Sequence, residues 1–76
     1  MKKIQERVHI LTPREHEVFS LVVSGFMNKQ IADRLKTSEK TIKVHRASIM
    51  AKMNARALAD LVRMAEKAGI HPLQSK

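Results

Sequence analysis

The chain has 76 residues, enough for one small domain, and its 15 Lys and Arg against 7 Asp and Glu give a formal charge of +8. A charge of that size on so small a body favours polyanions, nucleic acid first and an anionic membrane second. The absence of cysteine excludes disulfides and thiolate metal sites, no apolar run approaches the roughly 20 residues of a membrane span, and the start Met1-Lys2-Lys3-Ile4 lacks the apolar core of a signal peptide, so the cytoplasm is expected.

Glycine and proline number two each, and the dominant residues are helix formers, which predicts an all-α fold. Residues 1–10 have mixed polarity and weak periodicity and read as a tail or linker. Leu11-Thr12-Pro13-Arg14-Glu15 is a helix start: Thr12 as N-cap, Pro13 at the first helical position, Glu15 closing a capping box and Leu11 stapling back. This helix runs to about Ser24, with Val18, Leu21 and Val22 on one face, Phe19 extending it, and Gly25 as a left-handed cap. Asn28 is expected to cap a second helix to about Leu35, with Ile31, Ala32 and Leu35 inward. Lys36-Thr37 makes the turn, and Lys36 in a left-handed position costs roughly 1 kcal/mol. Ser38 caps a third helix running to about Met53, with Glu39 in its first turn. Asn54-Ala55-Arg56 leads to a fourth helix over about 57–68, with Leu58, Leu61, Val62 and Ala65 inward. Gly69 closes it, Pro72 prevents more helix, and 70–76 is a tail whose end, 73–76, frays. The domain is therefore 11–69: four helices bundled together, the second and third forming a helix-turn-helix.

At about 100° per residue, Ile42, Ile49 and Met53 share one narrow sector of the third helix, and Lys40, Lys43, Val44, Ala47 and Ala51 share the opposite one. The first sector is core. The second mixes long cations with small and apolar residues, as a helix seated in the DNA major groove requires. Lys43 can reach a guanine edge or a phosphate, Val44 a thymine methyl, and Ala47 and Ala51 permit close approach. The amides near Ser38 and Lys40 with the Thr41 hydroxyl can hold a phosphate at the helix N-terminus. Lys29 and Lys52 are candidate backbone grips. His45 and Arg46 flank the buried stripe: His45 either packs at the core edge, bonding a backbone group, or meets a phosphate, and Arg46 either meets a phosphate or pairs with Glu15 or Glu17.

The segments Leu11-Thr12-Pro13-Arg14-Glu15-His16-Glu17-Val18-Phe19, Asn28-Lys29-Gln30-Ile31-Ala32, Ser38-Glu39-Lys40-Thr41-Ile42-Lys43-Val44-His45-Arg46 and the run from Met53 through Asn54, Ala55, Arg56, Ala57, Leu58, Ala59, Asp60, Leu61 and Val62 to Arg63 closely resemble the LuxR-type DNA-binding domain, nearest its FixJ-like response-regulator branch. The likeness covers about 11–69. It implies a sequence-specific, double-stranded-DNA-binding transcription regulator whose third helix reads the major groove. Lys43 and Val44 match groove-facing positions, and Thr41 and Lys29 match backbone contacts. Ala47 stands on the same base-reading edge, in a slot where some members carry a longer side chain, so most of the direct readout is expected from Lys43 and Val44. Phe19 stands where leucine is usual. The resemblance also implies a homodimer on DNA through the fourth helix, with Ala59, Val62, Arg63 and Glu66 as its expected contact surface. Members of this branch usually carry a receiver domain, absent from these 76 residues, so the chain is expected to be an isolated output domain of a two-component system or a short stand-alone regulator.

A second reading is an interaction module docking on RNA polymerase or another regulator, since a promoter-binding sigma-factor region shares the Leu-Thr-Pro-Arg-Glu start. An enzyme is not expected: His9, His16, His45 and His71 do not cluster with carboxylates at ligand spacing, and there is no glycine-rich phosphate loop or nucleophile motif. No cofactor or metal is implied. Membrane binding is disfavoured because the third helix lacks bulky apolar anchors on its outer face.

Overall fold

The computed structural model describes residues 8–69. Four helices follow one another: α1 (Pro13–Val23), α2 (Asn28–Leu35), α3 (Glu39–Lys52) and α4 (Leu58–Lys67). No strand occurs among the described residues, so the fold is all-α as expected. Residues 8–10 are helical rather than tail-like. The Leu11 amide donates to the Val8 carbonyl at 3.1 Å, and Val8 packs against the core, because burying Leu11 and Val8 together offsets the ordering of the segment. Residues 1–7 of the expected tail, Pro72 and 73–76 lie outside the described residues.

Each helix start follows from local chemistry. Thr12 Oγ1 accepts the Glu15 amide at 3.1 Å and Glu15 Oε1 accepts the Thr12 amide at 3.0 Å, the reciprocal capping box. Ser38 Oγ accepts the Thr41 amide at 3.0 Å. The second helix departs from expectation: its N-cap is the extended Met27, not Asn28. Gln30 Oε1 accepts the Met27 amide at 2.8 Å, and Asn28, already helical, uses its side chain elsewhere. At the other ends, all four helices close on a left-handed residue: Gly25 (φ 96°), Lys36 (φ 56°), Asn54 (φ 56°) and Gly69 (φ 78°). At the first three, the next amide reaches back to a carbonyl five residues earlier: Phe26 to Leu21 at 3.1 Å, Thr37 to Ala32 at 2.9 Å and Ala55 to Met50 at 2.9 Å.

The core is one cluster containing Val18, Phe19, Leu21 and Val22 of α1, Ile31 and Ala32 of α2, Ile42 and Ile49 of α3, Met53 after it, and Leu61 and Ala65 of α4. Helix α3 packs on both α1 and α2, and α4 packs on α1. Burying each large side chain contributes about 1.5–3 kcal/mol. The expected inward stripe of α4 is corrected at two positions: Leu58 is 45% exposed, because α4 only begins there, and Val62 is half-buried and stands outside the core cluster, which takes Leu61 and Ala65. Met64 takes the place at the core edge instead.

A buried carboxylate joins the start of α1 to the end of α3. Glu15, 6% exposed, accepts the Lys52 ammonium on Oε1 at 2.7 Å and the Ser48 hydroxyl on Oε2 at 2.7 Å, in addition to the Thr12 amide. The Lys52 hydrogen bond, then those of Ser48 and Thr12, hold its pKa down from 4.5 to about 2. A carboxylate with a depressed folded pKa stabilises the fold fully above pH 4.5, and that stabilisation is lost as pH falls through about 2. Glu15→Gln should therefore lower stability at neutral pH by about 2 kcal/mol. The gap between the two proteins in thermal melts followed by circular dichroism should close as pH is lowered from 4.5 to 2. A gap that stays constant over that window would show that the charge of Glu15 contributes nothing.

Candidate nucleic-acid interface

The sequence from 28 to 53 carries seven Lys or Arg against two Asp or Glu, and the fold sorts them by face. Ile42, Ile49 and Met53 are buried to within 1%. On the opposite side Lys40, Lys43, Val44, Ala47 and Ala51 are all exposed, Val44 at 62%. Neither Lys40 nor Lys43 makes an ion pair or a side-chain hydrogen bond among the described residues. A rigid helix thus presents two uncommitted ammonium groups beside short side chains. That arrangement lets a backbone come close to an anionic surface without desolvating a bulky or acidic residue.

At the start of α3, Ser38 and Thr41 are bound to each other: Ser38 Oγ donates to Thr41 Oγ1 at 2.9 Å while accepting the Thr41 amide. The Thr41 hydroxyl keeps its own proton to donate outward. Lys29 is exposed on the first turn of α2. The other two cations of α3 have found protein partners. Arg46 does not pair with Glu15 or Glu17; its Nη1 donates to Asn28 Oδ1 at 2.7 Å, which ties the middle of α3 to the start of α2. Glu17 takes Arg14 instead, at 3.1 Å. Lys52, expected at the DNA backbone, is held by Glu15 at 2.7 Å. A buried carboxylate left without a cation is costly, so this pairing serves the fold. His45 is half-buried and makes no hydrogen bond to backbone among the described residues.

One contact and one cleft were not legible in the sequence pattern. The Arg34 guanidinium lies 4.6 Å from the centroid of the Phe26 ring, a cation–π contact bracing the entry of α2. Beside it an open cleft of about 430 Å³ is lined by Phe26, Met27, Asn28, Arg46 and Leu58 among others. The sequence does carry a signal for the Glu15 partners: Ser48 and Lys52 are spaced i, i+4 on one face of α3.

On α4, Ala59, Arg63 and Glu66 are exposed and Val62 half-buried, an i, i+3, i+4, i+7 stripe facing away from α1. Asp60 accepts the amides of Arg56 at 3.0 Å and Ala57 at 3.2 Å and pairs with Arg63. The Arg56 amide first, then that of Ala57 and the charge of Arg63, hold its carboxyl below the ordinary range. No group of His, Cys, Asp or Glu among the described residues is arranged to hold a metal ion, and no helix there is long and apolar enough to cross a membrane.

Comparison with known proteins places the chain among bacterial regulators. The sequence pattern of the GerE family, bacterial regulatory proteins of the luxR family, matches residues 9–65. Nodulation protein W of Bradyrhizobium diazoefficiens is 53% identical over 60 residues, 79% of this chain and 26% of that protein. The transcriptional regulatory protein FixJ of Rhizobium meliloti is 49% identical over 69 residues, 91% of this chain and 34% of that protein. Among solved structures, the response regulator StyR superposes with a TM-score of 0.85 at 47% identity, over 87% of this chain and 33% of that one. Full-length FixJ from B. japonicum gives 0.83 at 43% identity, over 92% and 34%. The chain spans about a quarter to a third of the length of these relatives.

The Asn28–Arg46 bond should be measurable in a double-mutant cycle. Asn28→Ala and Arg46→Ala should each destabilise by about 1 kcal/mol, and the double variant should cost about 1 kcal/mol less than their sum. Simple additivity in urea titrations would mean that the two side chains do not interact in solution.

Proposed function

The chain belongs to the luxR family of bacterial regulatory proteins, a family of regulators rather than enzymes, and from that premise we propose that it is a sequence-specific transcription regulator that inserts α3 into the major groove of duplex DNA. The observation that carries this reading is the outer face of α3, where the uncommitted Lys40 and Lys43 are interleaved with Val44, Ala47 and Ala51 on a helix whose other face is locked in the core. Lys43 and Val44 supply the base contacts, and Ala47 supplies close approach rather than polar readout. Lys29, Lys40, Ser38 and Thr41 hold the flanking backbone, and the phosphate contacts fix register without reading sequence. Arg46 acts from its anchored position on Asn28, with His45 beside it. Specificity then draws on DNA shape and on pairing of two copies as well as on side-chain contacts.

The second copy docks through the α4 stripe of Ala59, Val62, Arg63 and Glu66, which places two recognition helices on half-sites about one helical turn apart. The relatives named as regulatory proteins, FixJ among them, support a role as the output domain of a two-component response regulator acting on DNA in the cytoplasm.

Selection of bound sites from random duplex DNA should enrich two half-sites about one turn apart. On the enriched duplex, Lys43→Ala should lose about tenfold in affinity or more, and Val44→Ala should relax the preference at one base pair. Affinity should also fall steeply with salt. Absence of any enriched sequence, or affinity that scarcely changes with salt, would refute the reading.

A further inference from the structure

Each of the helices α1 to α4 ends on a left-handed residue, and the residue types that fill the position differ. Gly25, Asn54 and Gly69 occupy three of the left-handed positions, and these are the residue types that adopt that conformation at least cost. The fourth, between the two helices of the helix-turn-helix, holds Lys36 at φ 56° and ψ 50°. A β-carbon there crowds the backbone, and glycine or asparagine would serve the turn better. The Lys36 side chain gives nothing back to the fold that is visible in its contacts: it is exposed and makes no ion pair or side-chain hydrogen bond among the described residues. Its one structural merit is a positive charge near the C-terminal carbonyls of α2, where Arg34 already stands in the last turn. Its location is informative as well. It stands two residues before Ser38, the N-cap of the groove-facing helix, with exposed Lys40 and Lys43 in the turns that follow.

We propose that Lys36 is a further DNA-binding residue, a phosphate contact made from the turn, and that the strained turn position is retained for the sake of that charge. The inference rests on the duplex-binding reading above. A strongly hydrated ammonium on a four-carbon stem suits a mobile contact with a phosphate rather than a base edge, so Lys36 contributes to affinity and not to sequence preference. The residue thereby opposes stability to binding at a single position.

That opposition is what the experiment reads, using the whole chain and an enriched duplex with a scrambled duplex as companion. Lys36→Gly should leave the thermal midpoint unchanged or raise it, while affinity for both duplexes falls roughly three- to tenfold near 0.1 M salt and the slope of log affinity against log salt becomes shallower by about 0.9 per bound copy. Lys36→Gln, which keeps the strained β-carbon and loses the charge, should show the same losses. Lys36→Arg should retain both affinity and slope. Unchanged affinity and slope in Lys36→Gly would overturn the proposal while leaving duplex binding intact. A loss of affinity with an unchanged slope, or one accompanied by a lower thermal midpoint in Lys36→Gly, would also overturn it, because Lys36 would then act through the fold. Failure of the unaltered chain to bind either duplex at low salt would overturn both this proposal and the function on which it rests.

Discussion

The interactions of a single carboxylate set the geometry on which the outer face of α3 depends. Glu15 closes the capping box of α1 and, with the same two oxygens, receives Ser48 and Lys52 from the second half of α3. In a chain of 76 residues with no cysteine, a polar tie between elements distant in sequence does what a disulfide does in other small domains, by fixing one helix against another. The arrangement works because both oxygens that burial takes from water have donors, and no buried side-chain polar atom among the described residues lacks a partner. The cation that completes it is taken from the helix that faces outward. The number of free charges on α3 is thus set by what the core requires.

With one half of α3 fixed by Glu15 and its middle tied by Arg46 to Asn28, the N-terminal half projects from a rigid base. The two ties fix how that half is presented, and the short side chains Ala47 and Ala51 leave its exposed backbone open to close approach. The two ties also separate cations of similar appearance. Lys40 and Lys43 stay uncommitted, Arg46 is anchored but half accessible, and Lys52 is paired with Glu15. Composition counts all four alike, whereas their availability to a polyanion differs widely. At the helix ends, glycine and asparagine close α1, α3 and α4, and a lysine closes α2, the helix that leads into α3.

The features that were legible in the sequence are those decided within one or two helical turns. The Thr12–Glu15 capping box, Pro13 at the helix start, Ser38 as cap, Gly25 and Gly69 as stops, and the opposed faces of α3 all depend on residues no more than a few positions apart, and the chain alone determined them, as it determined the all-α class and the family resemblance. Asn28 misled because two neighbouring residues competed for the cap and a distant arginine claimed the amide side chain. Leu58 misled because periodicity gives the face of a helix but not where the packed surface beneath it begins.

What only the tertiary structure decided are pairings across 18, 33 and 37 residues: Arg46 with Asn28, Ser48 with Glu15, and Lys52 with Glu15. No local rule ranks the possible partners of a long charged side chain. The choice is made by which carboxylate is buried, and burial is settled only when the helices pack. The sequence therefore determined that α3 has a basic outer face, and the packing of α1 against α3 decided which of its cations remain there to be used.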